Sequence, residues 1–175
     1  MADQEKQQFR FEPLDKRVHN RAAFSCEHDA LNVYLKEKAS QDIQKRVAAG
    51  YALTPDGKTI AGYYTLSQYT IEPGELPDEA VHRLRLPHYD KLPATLLGRL
   101  ARSKQFKGAG LGEILLMGAL EKALLHSKNI ASLAVVVDAK DEKAHNFYQS
   151  YGFIALPDHP NRLFMLIQTI EQLFP

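Results

Sequence analysis

Three glycines alternate with other residues immediately before a predicted helix: Gly108, Gly110 and Gly112. Glycine has no Cβ, so it adopts positive φ values and lets backbone amides approach a ligand closely. A helix N-terminus adds unpaired N–H groups and a partial positive charge. The order of strand, glycine turn and helix therefore predicts a cradle for phosphate groups. Taken alone, the turn is equally typical of a plain connection between a strand and a helix.

Two well-known phosphate cradles do not match this turn. The P-loop requires a Lys-Ser or Lys-Thr pair after its last glycine, whereas Gly112 is followed by Glu113. The dinucleotide-binding fingerprint requires the spacing G-x-G-x-x-G near the first strand of its fold. In this sequence one residue separates each glycine from the next, and several predicted elements precede them. Both motifs are excluded.

The turn instead resembles the pyrophosphate-binding motif of the GNAT superfamily of N-acetyltransferases. That motif has Gln or Arg first, a glycine fourth, and Gly or Ala sixth. The aligned residues here are Lys107, Gly108, Ala109, Gly110, Leu111 and Gly112. The resemblance implies binding of acetyl-CoA as cosubstrate, with most of the grip supplied by backbone amides. Lys107 keeps a cation but lacks the planar, multi-donor head of arginine, so we expect weaker or less oriented binding there.

A second segment, Ala144–Phe153, resembles the GNAT pattern A-x-x-F-Y-x-x-x-G-F. The tyrosine at the position of Tyr148 serves in that family as a general acid near the coenzyme sulfur, which implies this catalytic role for Tyr148. A phenol with a pKa of about 10 is protonated at neutral pH and can donate its proton to the departing thiolate. The alternative is a purely structural role, because Phe147, Tyr148 and Tyr151 share one face of the predicted helix.

The same resemblance assigns a role to the strand before the cradle. In the GNAT fold two central parallel strands splay apart, and the pantetheine arm hydrogen-bonds the free backbone of the fourth strand. This implies that Leu100, Ala101 and Arg102 present that backbone. An amide directed at the thioester carbonyl would act as an oxyanion donor. Many family members have asparagine at the position of Asp141, but a carboxylate cannot donate a hydrogen bond, so we expect Asp141 to cap the helix instead.

Strands and helices alternate along the chain, which predicts one α/β (α+β) layered domain over residues 1–175. The resemblance implies a GNAT fold: a mixed sheet of six to seven strands, with splayed central parallel strands and about four flanking helices. Predicted strands are Phe9–Phe11, Tyr51–Thr54, Thr59–Ile71, Ala94–Arg102, Leu133–Val137, Ile154–Leu156 and Leu163–Gln168. Predicted helices are a segment from about Glu27 capped by Ser25, Ala39–Ala49 ended by Gly50, Glu113–His126, and Asp141–Ser150. Pro55–Gly57 predicts a hairpin turn, and Glu72–Pro93 a long loop with at most one short helix.

Composition excludes several other classes of protein. The 175 residues include 45% hydrophobic and 25% charged residues, which is ordinary for a globular protein. No apolar run approaches the ~20 residues of a membrane span, and the polar start MADQEKQQ predicts no secretory signal. We therefore expect a cytoplasmic protein. The single cysteine, Cys26, excludes an internal disulfide, and without a second cysteine or a spaced histidine pair we expect no metal.

The acceptor amine is less constrained than the cofactor. Gly62–Ser67, Leu97–Ala101 and Val137–Lys140 resemble GNAT toxins of bacterial toxin–antitoxin pairs. The resemblance implies acetylation of the α-amino group of aminoacyl-tRNA, a ribbon–helix–helix antitoxin as partner, and a homodimer. Acetylation of a small-molecule amine or a protein N-terminus is the alternative, and a non-catalytic coenzyme-binding module is a third.

A net charge of +1 does not indicate nucleic-acid binding, so an RNA substrate would need a local basic surface. The candidate patches are Lys16, Arg17 and Arg21; Arg83 and Arg85; and Lys36, Lys38, Lys45 and Arg46. Ordinary surface charge is the alternative for each patch. Candidate general bases are His82 and His88, and a water chain would also suffice because an α-amino group has a pKa of about 8.

Overall fold

The computed structural model describes residues 7–72, 74–86 and 91–175. Within these ranges seven strands are hydrogen-bonded in the order β1-β2-β3-β4-β5-β7-β6. They are β1 (Arg10–Pro13), β2 (Ala49–Thr54), β3 (Gly62–Ile71), β4 (Leu92–Arg102), β5 (Ala134–Asp138), β6 (Ile154–Leu156) and β7 (His159–Leu166). β4 and β5 pair in parallel, whereas β1–β2, β2–β3, β5–β7 and β6–β7 are antiparallel. The predicted mixed sheet is confirmed.

The helical segments are α1 (Asp29–Val33), a π turn (Tyr34–Lys38), α2 (Ala39–Gln44), α3 (Asp78–Leu84), a 3-10 turn (Lys104–Phe106), α4 (Leu111–Ser127), α5 (Glu142–Ser150) and α6 (Ile167–Glu171). The short α3 lies in the predicted long loop. None of the helices in the described ranges is both long and apolar enough to cross a membrane.

The chain divides into two compact units, and the first comprises residues up to Leu66 together with Arg99–Gly118. Its core gathers apolar side chains from α1, the π turn and strands β2 to β4, among them Leu31, Leu35 and Tyr63. The Tyr63 hydroxyl donates to the Leu31 carbonyl oxygen at 2.7 Å, so this buried polar group is satisfied.

The π turn is tied to the end of β4 within the first unit. The Arg99 guanidinium carbon lies 3.5 Å from the centroid of the Tyr34 ring, a cation–π contact. The Tyr34 hydroxyl donates to Asp42 Oδ2 at 2.8 Å. Burial, reinforced by the Asp42 hydrogen bond, raises the pKa of Tyr34 to about 12, so the phenol stays a neutral donor.

The second unit comprises Ser67–Gly98 and Ala119–Pro175. Its core includes Val136 of β5, Phe164 of β7 and Ile71 of β3, all with 1% exposure or less. Four successive residues of β5, from Ala134 to Val137, are buried, which is the pattern of a strand covered on both faces.

The parallel pairing of β4 with β5 is short. It covers Thr95–Leu97 of β4 against Val135–Val137 of β5, and β4 then continues to Arg102. Backbone beyond Leu97 therefore extends past its register with β5, as expected for splayed central strands. The single-domain organisation remains a prediction.

Three predicted boundaries are wrong, two of them at the ends of the first helical region and one at the last strand. Ser25 does not cap α1, which begins at Asp29 after His28 without a side-chain cap. Gly50 does not end a helix: α2 ends at Gln44, Arg46 adopts a φ of 59°, and Gly50 lies in β2. A Cβ at Gly50 would lie 2.9 Å from Ile43 Cδ1, the movable end of a side chain, so the position is closely packed without strictly requiring glycine.

The last predicted strand is displaced. β7 begins earlier, at His159, and Gln168 belongs to α6. The helix starts after Leu166, where the Ile167 amide donates to the Leu133 carbonyl oxygen at 2.9 Å. This long-range hydrogen bond has no signal in the local sequence.

Gly62 is expected to be essential for the packing of the first unit. A Cβ at Gly62 would lie 2.6 Å from Leu115 Cδ1 and 2.9 Å from the Ala101 carbonyl oxygen. The Ala101 backbone cannot move easily, so Gly62→Ala should lower the free energy of unfolding by about 1–3 kcal/mol, measured by urea titration. Gly74→Ala is the matched control, because a Cβ at Gly74 meets nothing within 4 Å. Equal stability of the two variants would contradict this interpretation.

Candidate functional site

The predicted cradle lies in the first unit, between the end of β4 and the start of α4. Gly108 and Gly110 adopt φ values of 84° and 72°, a left-handed conformation that other residues rarely adopt. A Cβ at either position would meet nothing within 4 Å. The turn therefore presents an open, exposed backbone surface, and glycine is required there by conformation rather than by crowding.

The cradle opens directly into α4. The helix begins at Leu111, and its first backbone bond runs from the Ile114 amide to the Gly110 carbonyl oxygen at 3.4 Å. Amides in the first turn of an α-helix have no intrahelical acceptor, so those of Leu111 and Gly112 can serve a ligand. The Ala109 amide is used internally, since it donates to the Phe106 carbonyl oxygen at 3.3 Å. Open glycines and a helix N-terminus together fit a diphosphate group.

Two hydrogen bonds hold the chain segment that leads into the cradle. The Ser103 amide donates to the Ala61 carbonyl oxygen, and the Lys104 amide donates to the Ser25 carbonyl oxygen, both at 2.8 Å. Ser25, predicted as a helix cap, thus contributes its backbone to this support. The 3-10 turn that follows is capped by Ser103, whose Oγ accepts from the Gln105 amide at 3.3 Å.

Two cations beside the cradle share one carboxylate. Lys107 Nζ lies 3.6 Å and Arg102 Nη2 lies 3.7 Å from Glu27 Oε1. The Lys107 side chain is 70% exposed, whereas that of Arg102 is 25% exposed. An exposed ion pair of this kind contributes little to stability, so Lys107 is free to exchange Glu27 for an arriving phosphate. The sequence pattern did not identify Glu27, because it lies on a distant segment.

The three predicted pantetheine contacts are the last residues of β4. Ala101 is buried, while Leu100 and Arg102 are half-buried. All three lie beyond the stretch of β4 that pairs with β5. Their binding role remains a prediction.

Tyr148 lies on α5 in the second unit, within a group of aromatic rings. Its ring centroid is 5.3 Å from that of Phe147 and 5.4 Å from that of Phe153. Both pairs are edge-on, an arrangement that aromatic rings prefer. Phe147 also packs on Tyr151 at 5.1 Å. These contacts fix the orientation of the Tyr148 ring, and the residue as a whole is only 8% exposed.

Burial also determines the protonation state of the Tyr148 hydroxyl. Burial of the ring raises the pKa of Tyr148 to about 12, since desolvation disfavours the phenolate. The result is a positioned, neutral proton donor.

The remaining candidate residues have defined positions. Asp141 caps α5, because its Oδ1 accepts from the Ala144 amide at 2.7 Å, as expected. His82 is exposed on α3, and His88 lies outside the described residues. No group of three or more His, Cys, Asp or Glu residues in the described part of the chain is arranged to hold a metal ion.

Comparison with known proteins finds similarity both to the GNAT family and to toxins. A family model for the acetyltransferase (GNAT) domain matches residues 93–165, a range that contains the cradle and Tyr148. The chain is 31% identical over 170 residues to the "Probable toxin TacT" of Sinorhizobium fredii (strain NBRC 101917 / NGR234), and the match covers 93% of each chain.

Two proteins of known structure, KacT and AtaT, are similar to nearly the whole chain. A tyrosine-to-phenylalanine mutant of KacT has a TM-score of 0.87 and 34% identity, covering 96% of this chain and 100% of KacT. AtaT complexed with acetyl-methionyl-tRNAfMet has a TM-score of 0.85 and 30% identity, covering 96% of this chain and 100% of AtaT. A mutant of AtaT bound to acetyl-CoA and the C-terminus of the antitoxin AtaR has a TM-score of 0.80 and 28% identity. The match covers 95% of this chain and 98% of the AtaT chain.

These similarities agree with the open glycine turn, the helix N-terminus and the neutral tyrosine hydroxyl. The chain belongs to the GNAT family of acetyltransferases.

Proposed function

We propose that this protein transfers the acetyl group of acetyl-CoA to the α-amino group of aminoacyl-tRNA in the cytoplasm, as the toxin of a toxin–antitoxin pair. The observation that carries the choice of acceptor is the similarity, over 96% of this chain, to AtaT complexed with acetyl-methionyl-tRNAfMet. The acetyl-methionyl-tRNAfMet in that complex carries the modification proposed here. Blocking the α-amino group of a charged tRNA stops it from acting as a peptide acceptor.

The cradle supports the cosubstrate half of the proposal. The exposed turn at Gly108 and Gly110 and the first amides of α4 supply hydrogen-bond donors and a partial positive charge to the diphosphate of acetyl-CoA. Lys107, released from Glu27, adds a mobile cation. Backbone donors keep their positions when a ligand arrives, so little ordering entropy is lost on binding.

Tyr148 is the proposed general acid. When the acceptor amine attacks the thioester carbonyl, the carbon–sulfur bond breaks and the thiolate needs a proton. The Tyr148 hydroxyl, with a pKa of about 12, remains protonated at every physiological pH. A backbone amide of Leu100, Ala101 or Arg102 would stabilise the oxyanion.

A protein partner completes the proposal. A mutant of AtaT has been solved with the C-terminus of the antitoxin AtaR, and a KacTA complex has been solved with DNA. We propose that a ribbon–helix–helix antitoxin binds and inhibits this chain in the same manner, and that the chain acts as a homodimer. Sedimentation of the purified protein at micromolar concentration tests the oligomeric state.

Removal of the Tyr148 hydroxyl should abolish turnover without loss of the fold. Tyr148→Phe is expected to lower kcat about 10²- to 10⁴-fold while the Kd for acetyl-CoA stays unchanged, because only the proton donor is lost. Mass spectrometry of charged tRNA after incubation with acetyl-CoA measures the product. Tyr151→Phe is the control on the neighbouring ring and should keep its activity. Wild-type turnover in Tyr148→Phe would reject Tyr148 as the acid.

Substitution at the cradle should act on acetyl-CoA binding. Gly110→Val forces a β-branched residue into a positive φ and covers the amides, so the Kd measured by calorimetry should rise about 10- to 100-fold, equivalent to one or two charge-assisted hydrogen bonds. Gly57→Val is the control, since Gly57 has a φ of 82° in a turn far from the cradle in sequence. It should lower stability but leave the Kd unchanged. If Gly110→Val binds acetyl-CoA normally, the cradle is wrongly placed.

The pH profile follows from the two titrating groups. The acceptor amine attacks only when neutral, so kcat/KM should rise through its pKa of about 8. The pKa of Tyr148 is raised to about 12, so the acid form persists and no descending limb is expected below pH ~10. Initial rates between pH 6 and pH ~10, corrected for ester hydrolysis of the charged tRNA, measure the profile. A fall centred near pH ~9 would indicate a different acid.

A further inference from the structure

A basic pocket in the first unit has no role in the acetyl-CoA site described above. It is a largely open depression of about 410 Å³, lined by Lys16, His19, Asn20, Arg21, Ala22 and Lys36. Three of these side chains carry a positive charge at neutral pH, and no carboxylate is among them. The lining joins two separate segments of the chain, one before α1 and one in the π turn.

Arg21 is held in this pocket by backbone rather than by an acidic residue. Its Nη1 donates to the Lys36 carbonyl oxygen at 3.2 Å and to Ser40 Oγ at 3.0 Å. A π turn closes i→i+5 hydrogen bonds in place of the usual pattern, which makes carbonyl groups of the turn available to Arg21. Because its partners are neutral, the guanidinium keeps its full positive charge in a fixed position.

Asp15, which lies beside the pocket lining in sequence, is paired with Arg17. The two contacts run from Arg17 Nη2 to Asp15 Oδ2 at 3.1 Å and from Nε to Oδ1 at 3.2 Å. Arg17 is therefore compensated and does not line the pocket. Over the described residues, neither Lys16 nor Lys36 lies within salt-bridge distance of a carboxylate.

His19 forms an uncharged wall. The Asp15 amide donates to His19 Nδ1 at 3.0 Å, which assigns the ring proton to Nε2, 3.4 Å from Glu12 Oε1. Asn20 Oδ1 accepts from the Ala23 amide at 3.3 Å, so its NH₂ group is left as a donor. The pocket thus combines three cations with a neutral donor, a set that suits a phosphate joined to a sugar hydroxyl.

We propose that this basic pocket binds a backbone phosphate of the tRNA acceptor, with Lys16, Arg21 and Lys36 supplying the charge. The inference rests on the proposed function and names the contact that function requires. A chain with a net charge of +1 has no general attraction for RNA, so its affinity must come from a local group of uncompensated cations. Because tRNA without an amino acid has the same phosphate backbone as aminoacyl-tRNA, it should bind this pocket as well.

The double variant Lys16→Gln and Lys36→Gln tests the pocket while the structural contacts of Arg21 remain. The KM for charged tRNA should rise about tenfold, and the slope of log kcat/KM against log salt should become shallower by about one to two. The kcat at saturating tRNA and the Kd for acetyl-CoA should not change. An unchanged KM and slope would overturn the proposal.

The matched control is Lys38→Gln with Lys45→Gln. It removes the same charge from the end of the π turn and the end of α2, outside the pocket lining, and should leave both the KM and the salt slope unchanged. An equal effect of the two pairs would overturn the pocket in favour of a diffuse field. Loss of antitoxin binding by the pocket variant, with an unchanged KM for tRNA, would also overturn it, because the ligand would then be an acidic protein segment.

Failure of the proposed function gives a different result. In that case the wild-type protein acetylates no charged tRNA, and kinetic constants cannot be obtained. Fluorescence anisotropy with uncharged tRNA then measures the pocket directly. Weaker and less salt-dependent binding by the pocket variant than by the control supports the pocket, whereas equal binding by both variants rejects it.

Discussion

The first unit depends on the absence of a side chain at Gly62. At this point of β3, Leu115 of α4 and the carbonyl oxygen of Ala101 both occupy space that any Cβ would need. The contact sets how closely α4 packs on the sheet and where the last residues of β4 run. Because the cradle connects those two elements, the positions of its amides follow from the packing at Gly62 rather than from the cradle residues alone.

The cations of the first unit differ in the kind of partner that each one contacts. Glu27 holds Lys107 and Arg102 in weak, partly exposed pairs at the cradle, and Asp15 holds Arg17 in a tight pair. Arg21 instead has neutral partners in the π turn. A weak pair is exchanged for a ligand at small cost, whereas a cation with neutral partners keeps its field. A chain with almost no net charge can therefore present two separate anion-binding surfaces.

The sequence predicted the features that depend on nearby residues. The glycine turn, the hairpin at Pro55–Gly57 and the Asp141 cap follow from backbone conformation and from short-range hydrogen bonds. Long-range contacts explain what was missed. The sequence pattern predicts a helix end at Gly50, but this residue lies in β2 opposite Thr65 of β3. Neither the Glu27 pairing nor the anchoring of Arg21 by the π turn has a local pattern, so no single-sequence argument could have found them.

Tyr148 is a core residue that also carries the proposed catalytic role. The sequence left these as alternatives, because an aromatic residue on an amphipathic helix is usually part of a core. The ring is indeed packed between Phe147 and Phe153. That packing restricts rotation of the ring, which a positioned general acid needs, and burial raises the pKa to about 12, so the phenol stays protonated. A fully exposed tyrosine would lack the fixed orientation, so packing of the ring is compatible with the proposed role.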